Sequence, residues 1–261
     1  MYRKLSVIAI APAYDEERRI GEVVRRVPRD VVDEVLVVDD GSHDTTPDVA
    51  RDAGATVVSL GRTIGVGAAL RMGYAYAVDH GYDIAVVMAG NNKDAPEEIP
   101  LLLDPLAAGS ADFVQGSRFL KKDPSFGSMP MYRRLATRIH PLLFSLAAGK
   151  RVSESTNGFR ALRTTILKDD RIDLTDPRLD GYELEPYLYL RVLGLGYRTT
   201  EVPVTKTYAP RNLGKQTKMR PVTDWWAILR PLVWGLAGRL RNSRSRRRDD
   251  RERDGRQGAH P

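Results

Sequence analysis

The amino-acid sequence predicts an α/β protein built on a doubly wound, mainly parallel sheet. Between residues 5 and 119, short apolar runs alternate with segments of helical periodicity. The runs are apolar almost throughout, which is typical of strands that are covered by helices on both faces. Such a sheet binds its ligands at the carboxyl ends of the strands, so the polar residues that follow each strand are the first candidates for a functional site.

The first half of the chain contains five predicted strands, at Leu5–Pro12, Glu34–Asp39, Thr56–Leu60, Ile84–Met88 and Asp112–Gly116. Four helical segments separate them, at Glu16–Val27, Pro47–Ala53, Gly67–His80 and Pro96–Ala108. The pattern then loosens but still predicts a helix, a strand, a helix and a strand, at Met131–Ala148, Thr156–Leu162, Tyr182–Gly194 and Tyr197–Val204. We therefore expect one domain over residues 1–220.

The end of the chain predicts an amphipathic helix over residues 221–240 and a disordered Arg-rich tail over residues 241–261. All three Trp residues lie in the helical segment, and Trp favours the headgroup region of a membrane. From Arg239 onward nine Arg outnumber four acidic residues and few side chains are apolar, so burial cannot offset the entropy cost of ordering. The helix either lies in a membrane surface whose anionic lipids attract the tail, or docks on the domain's own core. The tail alone could also serve solubility.

Composition excludes several classes of function. The chain has no Cys, which excludes disulfides, thiolate zinc sites and a Cys nucleophile. No apolar stretch reaches 18 residues, so a membrane-spanning helix is not expected. The apolar run at Leu5–Ala11 is very short for a signal peptide and leads into an acidic helix start. No aromatic residue interleaves with the Arg of the tail, which argues against nucleic acid as a partner.

Acidic residues follow the first two predicted strands. The first strand ends in Pro12-Ala13-Tyr14-Asp15-Glu16-Glu17, and the second in Asp39-Asp40-Gly41-Ser42. At neighbouring strand ends these carboxylates can accept hydrogen bonds from a base and a ribose. Turn formation and helix capping are an alternative explanation for either segment alone.

These two segments resemble those of family 2 glycosyltransferases with the GT-A fold. Further similar motifs follow in order: Gly65-Val66-Gly67-Ala68-Ala69, Gln115-Gly116-Ser117-Arg118-Phe119 and Ser155-Thr156-Asn157-Gly158-Phe159-Arg160. The segment Glu201-Val202-Pro203-Val204, followed by Arg211, Gly214 and Lys218, resembles the ending of dolichyl- and polyprenyl-phosphate sugar (mannose or glucose) synthases. The resemblance covers roughly residues 5 to 220.

The resemblance implies inverting transfer of a sugar from a UDP- or GDP-linked donor to a polyprenyl or dolichyl phosphate. The enzyme would be cytoplasmic and peripheral on the cytoplasmic face of a membrane. It assigns the nucleotide sugar to Pro12, Tyr14, Glu16, Asp39, Asp40, Gly67, Arg211 and Lys218. It assigns the acceptor phosphate to Arg118, with Arg133 and Arg134 as further candidates whose basic pair a solvated helix face explains equally well. Guanidinium groups suit phosphate oxygens, which supports these assignments.

A phosphate acceptor would simplify the chemistry, because its nucleophilic oxygen is already anionic at neutral pH. A hydroxyl acceptor would need a general base, for which Glu183 is the candidate. We assign Glu185 to the positive end of a helix dipole instead. Two other functions stay open: a soluble glycosyltransferase with a small hydroxyl or carboxylate acceptor, and a catalytically silent nucleotide-sugar binder.

The chain departs from its family where an Asp-x-Asp motif should hold a divalent cation. Ala89 and Asn91 stand in place of the two Asp residues, and Lys93 follows. Three hypotheses result. Lys93 neutralises the donor diphosphate without a metal; or Asn91 and Asp94 hold a weakened Mg²⁺ or Mn²⁺ site; or catalysis has been lost.

Overall fold

The computed structural model of the protein describes residues 1–121, 127, 129, 131–208, 219 and 223–235. Seven strands form one sheet: β1 (Val7–Ala13), β2 (Glu34–Asp39), β3 (Thr56–Ser59), β4 (Ile84–Val87), β5 (Phe113–Ser117), β6 (Arg160–Arg163) and β7 (Thr199–Pro203). The helices are α1 (Ile20–Arg26), α2 (Thr46–Asp52), α3 (Val66–Asp79), α4 (Ile99–Ala107), α5 (Met131–Ala148), α6 (Leu184–Gly194) and α7 (223–235). Every strand and helix predicted within the described residues is present, with ends shifted by a few residues.

The sheet is mixed, with the strand order β3-β2-β1-β4-β6-β5-β7. Strands β1 to β4 pair in parallel, and β5 pairs in parallel with β7. Strand β6 lies between β4 and β5 and runs antiparallel to both. The expectation of a mainly parallel α/β sheet is confirmed, with β6 as the exception. Residues 156–159, predicted as part of this strand, instead form the loop that enters it.

The helices form two layers, one on each face of the sheet. Alternate strand residues point to opposite faces, so Val7 and Ala9 pack under α1, α2 and α4, whereas Ile8 and Ile10 pack under α3, α5 and α6. The strands are therefore apolar on both faces, as the uninterrupted apolar runs predicted. We call these the first layer (α1, α2, α4) and the second layer (α3, α5, α6, with α7 against it).

Helix α7 docks on the second layer. Ile228 and Leu232 are buried, and Trp234 lies under the guanidinium groups of Arg178 and Arg230. The alternative of docking on the domain's own core therefore describes part of this segment. None of the described helices combines the length and the apolar character that a membrane crossing requires. The predicted tail over residues 241–261 lies outside the described residues.

The topology brings six strand ends to one edge of the sheet. Every strand except β6 runs toward this edge, since the parallel pairs share a direction and β6 reverses it twice. Because β6 runs the other way, the loop that precedes it also lies there. Residues that are far apart in the sequence consequently meet at this edge.

Candidate functional site

A cavity of about 530 Å³ lies at this edge of the sheet. Its walls come from the ends of β1, β2, β4, β5 and β7, from the loop before β6, and from α3, α5 and α7. The volume lies within the usual range of small-molecule sites. Five of the sequence motifs that resemble those of glycosyltransferases therefore contribute residues to one cavity.

One wall carries predicted nucleotide ligands that follow β1 and β2. Pro12, Tyr14, Glu16 and Asp40 all line the cavity. Glu16 Oε2 accepts a hydrogen bond from Arg19 at 2.9 Å, and Asp40 Oδ1 accepts bonds from the backbone N–H groups of residues 64 and 65, at 2.8 and 3.1 Å. The Asp40 carboxylate thereby holds the start of α3 against the cavity wall.

Asp39 and Gly67 are not among the described residues that line the cavity. Asp39 is buried and accepts hydrogen bonds from Ser59 Oγ at 2.8 Å and from the Ser42 N–H at 3.1 Å. A Cβ added to Gly67 would lie 1.9 Å from the carbonyl oxygen of Leu179. The structure gives both residues packing roles, and their contact with a nucleotide stays a prediction.

Arg118 lies at the cavity on the opposite wall and is almost fully buried. Its Nε donates to Glu154 Oε2 at 2.6 Å, and its terminal nitrogens donate to the Tyr208 hydroxyl at 2.5 Å and to Thr156 Oγ1 at 3.5 Å. Glu154 is completely buried, so the pair is shielded from water. These bonds use three of the five N–H groups of the guanidinium, and they hold its plane in one orientation.

Two Lys side chains lie between these walls. Lys93 and Lys206 both line the cavity and are largely buried. Burial, together with the positive charges of Lys206 and Arg133, lowers the pKa of Lys93 to about 7. Glu16 and Asp94 act in the opposite direction. A concentration of positive charge in a buried pocket favours an anionic ligand.

The residues in place of the Asp-x-Asp motif do not fit a divalent cation. Asp94 Oδ1 accepts a hydrogen bond from Lys206 Nζ at 2.6 Å, and Oδ2 accepts one from the Ala89 N–H at 2.8 Å. Asn91 lines the cavity but carries no charge. Among the described residues no three His, Cys, Asp or Glu side chains come together as a cation site. Hard cations such as Mg²⁺ need several oxygen ligands. Here the Asp94 carboxylate is already paired with the ammonium group of Lys206.

The predicted basic pair at the start of α5 divides between two environments. Arg133 lines the cavity. Arg134 instead donates to the backbone carbonyls of Met129 at 3.0 Å and Gly127 at 2.9 Å. The structure thus brings Arg133, but not Arg134, to the cavity. Arg211 and Lys218 lie outside the described residues, and their role stays a prediction.

The two Glu residues at the start of α6 occupy positions opposite to those we expected. Glu183, the candidate base, does not line the cavity within the described part of the chain, and its Oε1 accepts a hydrogen bond from Arg230 of α7 at 2.9 Å. Glu185 does line the cavity and pairs with Arg160 at 3.0 Å. His140 is buried behind the wall, where burial lowers its pKa to about 4. Glu183 acts in this structure as an anchor for α7.

Several cavity residues were not predicted as site residues. Lys206 follows β7, and Ser155 and Thr156 belong to the motif before β6. Asp224 and Trp225 come from α7, which the sequence predicted either to lie in a membrane surface or to dock on the domain. The position of Lys206 just after a strand was a usable signal, because six of the seven strands end at this edge.

Solved GT-A glycosyltransferases share this fold. The structure of glucosyl-3-phosphoglycerate synthase from Mycobacterium tuberculosis in complex with Mn²⁺, UDP and glucosyl-3-phosphoglycerate matches with a TM-score of 0.64 at 23% identity. The match covers 90% of this chain and 80% of that chain. At this identity the likeness shows the fold alone. The protein therefore has the GT-A fold of glycosyltransferases, as the sequence motifs predicted.

The family is shown by sequence. The model of glycosyl transferase family 2 matches residues 8–171. The undecaprenyl-phosphate mannosyltransferase of Micrococcus luteus is 32% identical over 93% of this chain and 99% of its own length. The polyprenol monophosphomannose synthase of Mycolicibacterium smegmatis is 31% identical over 91% of this chain and 89% of its own length. The chain belongs to glycosyltransferase family 2.

Proposed function

We propose that the protein transfers a sugar from a nucleotide sugar to a polyprenyl phosphate. The observation that carries this proposal is the single cavity that gathers Lys93, Lys206, Arg118 and Arg133. Two phosphate-bearing reactants must come together during such a transfer, and positive charge is what allows both to be bound. The names of the two relatives, which match over most of this chain, support a polyprenyl phosphate as the acceptor.

The donor would lie against the ends of β1 and β2. Pro12 and Tyr14 offer apolar surface to a base, and Glu16 and Asp40 offer carboxylate oxygens to its N–H groups and to the ribose. The diphosphate would then face Lys93 and Lys206 near the end of β4. We propose that these two ammonium groups neutralise the donor diphosphate in place of a divalent cation, because Asp94 is already paired with Lys206.

The acceptor phosphate would lie between Arg118 and Arg133. Its anionic oxygen attacks the anomeric carbon, the bond from that carbon to the donor diphosphate breaks, and the nucleoside diphosphate leaves with the electron pair. Attack from the side opposite the leaving group inverts the anomeric carbon. No proton has to be removed from the nucleophile, so the transfer needs no general base.

A lipid acceptor implies work at a membrane surface. We propose that the protein is peripheral on the cytoplasmic face, where the Arg-rich sequence beyond residue 240 adds attraction to anionic lipid. Deletion of residues 221–261 is a poor test of this point, because it would also remove Asp224 and Trp225 from the cavity wall.

The decisive assay mixes the purified full chain with labelled UDP- and GDP-sugars and either a polyprenyl phosphate or small hydroxyl and carboxylate acceptors, with and without EDTA. We expect label in the organic phase for one donor and equal rates in EDTA. Label on a small hydroxyl or carboxylate acceptor but not on the lipid would replace this proposal with the alternative acceptor class. Donor binding without transfer to either acceptor would show a silent binder.

A further inference from the structure

Helix α5 leaves a continuous apolar face exposed. Its inner side is buried against the second layer through Thr137, His140 and Phe144. Its outer side exposes six large aliphatic side chains, at Met131, Leu135, Ile139, Leu142, Leu143 and Leu146. We call these six the outer face of α5. They recur every three or four residues, so they lie along one side of the helix for its whole length.

Three side chains of the outer face are more than two thirds exposed. Met131, Leu142 and Leu146 are 76%, 69% and 68% exposed. Isolated exposed apolar residues need no explanation, but a contiguous apolar patch marks an interaction surface. The polar residues of α5 do not interrupt this face, because Arg133 and Arg134 have partly buried side chains that are directed to the cavity wall and to the preceding backbone.

We propose that the outer face of α5 inserts into the membrane surface that holds the acceptor. Three further observations indicate that the occupant is a membrane. Arg133 and Thr137 of the same helix line the cavity, so the insertion would bring the cavity wall to the lipid. Trp226 of α7 is 59% exposed, and Arg138 is an exposed cation of α5. An apolar helix face with aromatic and basic residues around it is typical of helices that lie in the plane of a membrane.

This inference rests on the proposed function, which explains why the outer face of α5 would enter a membrane. Vesicle binding by this face can nevertheless be measured whether or not that function is correct. It assigns the main apolar membrane contact to α5, whereas the sequence had indicated only the segment after residue 220. It also predicts that the acceptor's long chain stays in the lipid while its phosphate reaches Arg118 and Arg133. The outer face would then matter for lipid-embedded acceptors and not for soluble ones.

The test is flotation of the full chain with vesicles of phosphatidylcholine and phosphatidylglycerol that contain polyprenyl phosphate. The variant carries Leu135→Glu and Leu142→Glu, both at exposed sites where folding should be unaffected. The control is Leu101→Glu on α4, an exposed Leu of the first layer on the other face of the sheet. Flotation at 0.5 M salt screens the attraction of the Arg-rich sequence without weakening apolar insertion.

We expect the double variant to lose at least about tenfold in vesicle partitioning, since two Leu side chains no longer leave water, and the control to match the wild type. Transfer to vesicle-borne polyprenyl phosphate should fall in parallel, while transfer to a short, water-soluble isoprenyl phosphate stays unchanged.

Unchanged flotation of the double variant would overturn the proposal. The proposal would also be overturned if the wild type sediments as a dimer and the double variant as a monomer, with no change in flotation. A second copy of the chain would then cover the face. Flotation that depends on α5 without any sugar transfer would contradict the proposed function alone.

Discussion

The two helical layers of the protein bury the same kind of core but leave different surfaces exposed. Among the described helices of the first layer, only Leu101 is a large apolar side chain that is exposed. In the second layer α5 alone exposes six large aliphatic residues, and α7 adds Trp226 and Val233. The second layer also supplies cavity walls through α3, α5 and α7. The sheet thus separates a layer that only stabilises the fold from a layer that meets ligands and, as we propose, lipid.

We expect the transfer rate to fall most when a cation of the cavity is removed, and to change little when a cation elsewhere is removed. Lys93→Met should lower the transfer rate by about 100-fold or more, because a buried charge that stabilises a leaving group is worth that much. Lys121→Met is the matched control. Lys121 does not line the cavity, and its Nζ lies 2.7 Å from Glu98 Oε1. The initial transfer rates of both variants, at a saturating concentration of the donor, measure the two effects. Equal losses in the two variants would show that the location of the charge is irrelevant.

The next largest effect concerns the start of α3. Gly67→Ala should reduce the free energy of unfolding by about 3 kcal/mol and the Tm by about 10 °C, because the new methyl group overlaps the backbone of the segment 179–181. Gly194→Ala at the end of α6 is the control, since its Cβ would meet nothing within 4 Å. Thermal unfolding followed by circular dichroism compares them. A Gly67→Ala variant as stable as Gly194→Ala, but weak in nucleotide binding, would restore the predicted ligand role of Gly67.

The pH dependence of donor binding tests the state of Lys93. The lowered pKa, about 7, means that Lys93 is charged below pH 7 and loses its proton as the pH rises through 7. A diphosphate binds the charged form better, so binding should take up a proton above pH 7. The affinity should then fall by up to about tenfold per pH unit. Calorimetry of UDP and GDP binding in buffers of different ionisation enthalpy measures the uptake, and Lys93→Met should abolish it. Affinity that is flat from pH 6.5 to 8.5 would contradict this state.

Substitution of Glu183 should have the smallest effect, and it tests whether this residue anchors α7 or acts as a catalytic base. If Glu183 serves to hold Arg230 of α7, then Glu183→Gln and Arg230→Met should each lower activity by less than about tenfold, and the double variant should be no worse than either. The pH profile of kcat should keep its shape. A loss of more than 100-fold in Glu183→Gln alone, with a lost acidic limb in the pH profile, would restore Glu183 as a catalytic base.

Sequence patterns were sufficient for the strands of the first half of the chain. Strands β1, β2 and β4 are apolar on both faces, and this pattern distinguishes buried parallel strands from other elements. The direction of β6 was not predictable in the same way, because antiparallel pairing depends on which neighbours a strand finds. The motif at residues 155–158 was recognised, but only the structure shows that it is a loop on the cavity wall.

The site was partly predictable for related reasons. Acidic residues directly after strands, such as Glu16 and Asp40, were candidates because strand ends converge. Tyr14 and Arg118 were assigned through the resemblance to family 2 glycosyltransferases. Glu183 and Glu185 are two positions apart near one helix start, so they point in different directions and no local pattern says which one faces a ligand. The pairing of Lys206 with Asp94 joins residues 112 positions apart, which a single sequence does not reveal. The helix α5 was predicted, but the exposure of its apolar side was not.

We propose that positively charged side chains, and not a divalent cation, hold the donor diphosphate in a cavity shared with the acceptor. Isothermal calorimetry of UDP and GDP binding to the wild type and to Lys93→Met, with EDTA and with added Mn²⁺, tests this proposal. For the nucleotide that binds, we expect the Kd to be the same in EDTA and in Mn²⁺. We expect binding to weaken by about tenfold or more in Lys93→Met, because a buried charged partner is lost. A wild-type Kd that weakens tenfold in EDTA and recovers with Mn²⁺ would contradict it.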